Sequence, residues 1–388
     1  MSMSNSFLRD SMLRLSIPTR DALYYISDGN TVLLVENTLF KVHRSNLMKD
    51  GSTFDTLFSL PSEGANPSPG VTAPTVGGAV VEGESDDNPI RLQGDSADEF
   101  RALLWALYAL PHELMIATTS EANPVLLFNL ARITHKYQFK SLLSWALSAM
   151  VIYYTRTGAF DTLSSVSEAA SEAADAPPSS YPCGPTLMQL TELAALCECT
   201  DLLEATIRKW REQIRDGKEV AIALGMAERL NIRPLLGLSY NAMLLKGRAA
   251  WDSEPLLTRQ QRIRLLSGHY ELSQLWEKLP MNPPVLIHSV KCSSPPRCSK
   301  AWAALWKGVL EKGSQIVPTR YADVLGKLAV AEGIVKTLLD MVGAGPVSGS
   351  QESGLSIALC CKENALAATS LKIKEIEDGL AEHFRDVQ

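Results

Sequence analysis

Two short apolar runs with a two-residue polar break between them constrain this chain more than any other feature. Val32-Leu33-Leu34-Val35 is followed by Glu36-Asn37 and then by Leu39-Phe40-Lys41-Val42-His43. Such a pair reads as a β-hairpin, because a two-residue turn leaves each run free to face the other. Directly after it stand Arg44, Leu47, Phe54, Leu57 and Phe58, a spacing that suits short helices with one buried face. Farther on, Pro89 introduces a short strand, Ile90-Arg91-Leu92, and Gln93-Gly94-Asp95 supplies a turn. Ser96 with Glu99 three residues later has the form of a capping box, and Phe100, Leu103, Leu104, Leu107 and Tyr108 then recur at helical spacing.

A helical hairpin is expected next, from Val125–Ala131 through His135-Lys136-Tyr137 to Leu142-Leu143. Taken in order, these five elements resemble the core of a BTB/POZ domain, over roughly the first 150 residues. The residues that carry the resemblance are Phe40, Val42, His43, Arg44, Phe100, Leu104, Tyr108 and Tyr137. Where many members open the first strand with an Asp-Val pair, this chain has Asn30-Thr31-Val32. The resemblance implies an α+β BTB/POZ fold, a small mixed sheet flanked by helices, that acts by binding proteins.

Within such a domain, self-pairing through an N-terminal helix and the helices after the hairpin is expected. That places Met12, Leu13 and Leu15, together with Leu47, Met48, Phe54, Leu57 and Phe58, at an interface. The partners implied are a second copy in a homodimer and further proteins, among them a cullin-type ubiquitin ligase. Val80-Val81-Glu82 has the hydrophobic-x-Glu form that cullin-binding members carry, in a triplet loose enough to arise by chance. The alternative is a transcriptional co-regulator of the same family without a DNA-binding domain of its own.

Around this core the expected layout is an N-terminal helix or arm at 1–20 and the BTB/POZ-like domain at 21–155. A linker at 156–184, helical hairpins resembling a BACK-type extension at 185–250 and a C-terminal helical region at 251–388 follow. The stretch near 62–88 is rich in Gly, Pro, Ser and small residues, which bury too little to offset the entropy of ordering, so it reads as a flexible insertion. Asp86, Asp87, Glu82 and Glu84 within it read as solvated charge, and His43 as a structural residue at a strand end.

An internal echo runs through the helical part. Thr134-x-x-Tyr137-x-Phe139-x-x-Leu142-Leu143 matches Ala194-x-x-Cys197-x-Cys199-x-x-Leu202-Leu203, and both match Ala227-x-x-Leu230-x-Ile232-x-x-Leu235-Leu236. Each spans a helix end, a tight turn and a helix start, which predicts stacked antiparallel helices whether by duplication or by shared hairpin chemistry. Beyond it, helices are expected at Pro255–Leu279, from Ser299 onward, at Tyr321–Met341 and at Ala365–Phe384.

Composition narrows the function classes. A net charge of −6 without a basic cluster argues against nucleic acid, and the apolar runs are too short for a bilayer. Seven cysteines in no regular framework fit reduced thiols in the cytosol or nucleus. Phosphate-loop, nucleophile-elbow, zinc-protease and kinase signatures are missing from the sequence, so no catalytic residue and no cofactor is assigned. His288, Cys292 and Cys298 fall in one Pro- and Ser-rich stretch read as a loop, with Cys360-Cys361 farther on. The local spacing supplies three ligands with an unusual five-residue gap, so no metal is assigned; whether the distant pair joins them stays open.

Overall fold

The computed structural model describes residues 17–59, 82–163, 184–316, 322–343 and 357–386. Two compact units divide the chain, 1–206 and 207–388, and the division falls inside one helix, Thr200–Arg215.

In the first unit, β2 (Thr31–Val35) and β3 (Thr38–Val42) form the hairpin, with Val35 opposite Thr38 across Glu36-Asn37. Its flanks are a parallel β1 (Thr19–Tyr25) on β3 and a parallel β4 (Ile90–Leu92) on β2, giving the sheet order β1-β3-β2-β4. Alternate residues Leu33, Val35, Phe40 and Val42 point one way and are buried against Leu47, Phe54, Phe100, Leu103, Leu104, Ile133 and Phe139. Val32, Leu34 and Leu39 are buried on the opposite face, so both sides of the hairpin are covered. The helices that cover the first face are α1 (Arg44–Leu47), α2 (Thr53–Ser59), α3 (Ala97–Tyr108), α5 (Pro124–Lys136) and α6 (Lys140–Thr157), with a short α4 (Pro111–Ile116) after α3. Thus a small mixed sheet with flanking helices is followed by helices alone.

The start of α3 is fastened at three points. Ser96 Oγ accepts from the Glu99 amide, Glu99 accepts from the Ser96 amide, and the Glu36 carboxylate at the hairpin turn accepts from the Ala97 amide at 3.1 Å. Negative charge at a helix N-terminus is stabilising there. The buried carboxylate of Asp21 on β1 takes Arg101 of α3 at 2.8 Å, which ties the edge strand to the same helix.

The insertion expected to be flexible lies mostly outside the described residues, but its last part corrects the expectation. Residues 82–88 are turns anchored on the sheet: the Val32 amide donates to Gly83 O and the Gly83 amide to Asn88 O, both at 2.7 Å. Asp86 is therefore not merely solvated; its carboxylate accepts from Arg20 at 2.7 Å and from the Tyr25 hydroxyl at 2.6 Å. The linker read at Ser164–Ser180 and the N-terminal helix with Met12, Leu13 and Leu15 lie outside the described residues.

The repeated pattern is repeated backbone. Helices α7 (Leu187–Leu196), α8 (Thr200–Arg215), α9 (Val220–Arg229) and α10 (Arg233–Lys246) supply its second and third copies, and α5–α6 the first. At each corner an amide reaches back five residues: Phe139 to Thr134 O, Cys199 to Ala194 O and Ile232 to Ala227 O, all at 2.9 Å. The residue before that amide is left-handed each time, Gln138 at φ 59°, Glu198 at 52° and Asn231 at 53°. This geometry satisfies helix-end carbonyls that would otherwise lack donors. The apolar positions flanking the turn are those of the sequence pattern, because the corner must bury a contact on both sides.

The second unit is all-helical. After α11 (Arg248–Ser253) come α12 (Arg259–Lys278), α13 (Pro295–Ile316), α14 (Val324–Gly343) and α15 (Lys362–Asp378). Trp251, Trp276, Trp302 and Trp306 sit in its core with Tyr240, Leu272, Leu328, Leu380 and Phe384. Several boundaries differ from the sequence reading, the last two helices running Val324–Gly343 and Lys362–Asp378 in place of Tyr321–Met341 and Ala365–Phe384. The helix expected from Pro255 begins at Arg259, because Thr258 caps it in a box with Gln261. The helix expected from Ser299 begins a turn earlier, at Pro295, since proline is well placed where the amide would have no partner.

Two predictions follow from these corners and carboxylates. Gln138→Gly removes the cost of a left-handed side chain and should stabilise the first unit by about 0.5–1 kcal/mol, read as a raised urea midpoint; an unchanged or lower midpoint would contradict the assignment of strain there. Burial alone would raise the Asp21 carboxyl, but Arg101 and the amides of Tyr24 and Leu23 outweigh it and hold it low. The same direction holds for Asp50, bonded to Ser141, and for Asp86, bonded to Tyr25 and Arg20. Lowered carboxylates stabilise above the ordinary aspartate pKa of about 3.9 and lose that stabilisation as pH falls through their native values. Unfolding followed from about pH 6 to about pH 3 should therefore show stability falling below about pH 4, with a shallower fall in Asp21→Asn; a parallel fall in both proteins would exclude Asp21 as a contributor.

Candidate functional site

Residues expected at a self-pairing face divide on inspection. Leu47 and Phe54 are fully buried in the core under the sheet, so they cannot form an exposed face; their spacing is that of a core-facing helix, and the resemblance alone assigns them to an interface. Phe54 stacks on Tyr137 with ring centroids 4.4 Å apart. Met48 and Phe58 are half-buried, and Arg44 covers the Phe58 ring at 4.3 Å. Of the five, Leu57 alone is exposed, at 43%.

A different surface carries the apolar excess. The helix α4 buries none of its residues. Leu110 before it and Met115 and Ile116 within it are 59%, 69% and 46% exposed. Sequence reading passed over this segment because six residues give no usable period.

The residues that carry the resemblance hold the core together. Phe40 meets Phe100 edge-on at 4.9 Å, and Val42 and Leu104 are buried beside them. His43 sits at the strand end: the Tyr108 hydroxyl lies 2.9 Å from both its amide nitrogen and its Nδ1. Asp95, named in the sequence only as a turn residue, is buried and accepts from Lys136 at 2.6 Å and from the Tyr137 hydroxyl at 2.5 Å. Glu99 similarly takes Arg132 at 2.9 Å. These pairs line a cavity of about 310 Å³ between α3, α5 and α7, whose charges are thus already matched.

The second unit holds a denser constellation. His288 and Cys292 come from the connection between α12 and α13, Cys298 from the first turn of α13, and Cys361 from the position just before α15. One ligand atom from each lies within 4.8 Å of all the others. Cys298 and Cys361 are buried, and His288 and Cys292 half-buried. The connection has no helix or strand over 283–294, yet it is held from the core. The Trp302 indole donates to Pro284 O and the Trp306 indole to Leu279 O, each at 2.8 Å, and Asn364 at the start of α15 donates to Ile287 O at 2.7 Å. His288 is fixed at both ring nitrogens, Nε2 lying 2.8 Å from Ser299 Oγ and Nδ1 3.7 Å from Cys361 Sγ.

The electrostatics of the cluster are uneven. Burial pushes the Cys361 thiol up, but the Ser289 amide and the His288, Cys292 and Cys360 side chains outweigh it and bring it down to about 7. Burial pushes Cys298 up to about 11 despite the Ala358 amide, with Cys361 adding to the rise. One thiolate forms readily and discourages the next, as like charges in a small space do. Cys360 is exposed, with its sulfur 4.0 Å from that of Cys361. The local spacing supplies three ligands and leaves open whether the distant Cys360-Cys361 pair joins them; the structure places Cys298 on a helix and brings in Cys361, 63 positions later.

Among the described residues no helix is long and apolar enough to cross a membrane. Comparison with known proteins returns no match, whether to a family model, a curated protein or a solved structure.

Proposed function

We propose that this chain is a non-catalytic protein-interaction scaffold that pairs with itself and with other proteins through its first unit. The observation that carries the reading is α4, a helix with no fully buried residue that leaves Leu110, Met115 and Ile116 exposed. An apolar surface of that kind is costly unless a partner covers it. Support also comes from the five elements behind the BTB/POZ resemblance, which form in the expected order: hairpin, short helices, third strand, capped helix and helical hairpin. In the adaptor form of this reading the first unit engages a cullin-type ubiquitin ligase and the helical second unit holds a client.

Light scattering on the full chain tests the self-pairing directly. The wild type should be a dimer, and Met115→Asp or Leu57→Asp should weaken it at least tenfold, about 1.4 kcal/mol, with helicity intact. Leu47 and Phe54 are unsuitable for this purpose, because a buried aspartate would unfold the unit. A wild type that stays monomeric at every concentration would overturn the self-pairing.

A further inference from the structure

We propose that His288, Cys292, Cys298 and Cys361 bind one zinc ion in a closed Cys3His site that fastens the 283–294 connection to the start of α15. The donor set comes first. Three thiols and an imidazole suit zinc and not magnesium or calcium, which take oxygen ligands. Size comes second. Zinc–sulfur bonds of about 2.3 Å set tetrahedral edges of about 3.8 Å between ligand atoms. The four atoms here lie within 4.8 Å of one another, and the Cys361–His288 edge, at 3.7 Å, already has that length. Closing on an ion asks for shifts of about an ångström in a connection without regular structure.

The histidine supplies an independent argument. Ser299 Oγ lies 2.8 Å from Nε2 and can accept from it, and in that tautomer Nδ1 presents a lone pair 3.7 Å from Cys361 Sγ. A partner that fixes the ring and its tautomer is what metal-bound histidines usually have. Backbone amides serve the sulfurs in the same way, Ser289 to Cys361 and Ala358 to Cys298.

Two other readings account for less. Thiols packed as small apolar groups explain the burial of Cys298 and Cys361 but not a histidine nitrogen aimed among them. A disulfide would use two of the three sulfurs at about 2.0 Å and leave the third, and the imidazole, without a role. Four protein ligands leave no open position, so the ion is structural and takes no part in a reaction. What it joins is distant in sequence: Cys298 and Cys361 bracket α14 and residues 344–356, and each binding event closes that span at once.

Metal analysis of the full chain, purified under reducing conditions with zinc supplied, tests this. One zinc per chain is expected, retained through dialysis and lost in His288→Ala and in Cys298→Ser. Cys360→Ser and Cys199→Ser, which leave the four ligands intact, should keep it. Cobalt(II) added to metal-stripped wild type should give the visible bands of a tetrahedral ion and a thiolate charge-transfer band, both erased by zinc; this reading does not depend on whether the variants fold. Wild type that is folded yet zinc-free and spectrally silent with cobalt would overturn the site. So would zinc lost equally from Cys360→Ser, or a disulfide among Cys292, Cys298 and Cys361 in the reduced protein.

Discussion

The amide that reaches back five residues across each helix corner is the bond on which most of this architecture depends. It appears at Phe139, Cys199 and Ile232 behind a left-handed residue that is not glycine, and at Lys218 behind Gly217. Each corner turns the chain so that the next helix packs antiparallel on the last, and the apolar residues on either side are thereby driven into the core. In the first unit the corner at Gln138 does more. It delivers Ile133, Tyr137 and Phe139 to the layer beneath the sheet, where they meet Phe54, Leu103 and Leu104. The sheet's apolar face needs that layer, for a four-stranded sheet left uncovered would expose Leu33, Val35, Phe40 and Val42.

Much of this was legible because it is local. The hairpin, the capping box at Ser96 and the three corners are set by residues within a dozen positions of one another, where period and turn chemistry speak directly. The resemblance puts Leu47 and Phe54 at an interface, whereas their helical spacing asks only for a buried face, which the core under the sheet supplies. Asp86 was read as solvated because its partners, Arg20 and Tyr25, stand more than sixty positions earlier. Asp95 and Asp21 were passed over for the same reason, each being matched by a cation brought in by folding.

The histidine and cysteines show the limit most sharply. All four ligands are visible as residue types, but the Pro-Pro pair at 295–296 reads as part of a loop and in the structure opens a helix. Read as a loop, it gives Cys298 no set direction and leaves the approach of Cys361 open. Once α13 and α15 are placed, the tryptophans of α13 and Asn364 hold the connection where His288 faces Cys361. The two units thus use different means to the same end. The first matches buried carboxylates with arginine, lysine and tyrosine; the second gathers soft ligands about one ion.

Backbone hydrogen exchange across residues 283–298 and 357–364, with zinc bound and after its removal by a chelator, tests most directly whether one ion ties these segments together. Protection in both segments should be lost together on removal, while the amides of the Gln138 corner stay protected. Equal exchange with and without the metal, or loss in one segment alone, would contradict it.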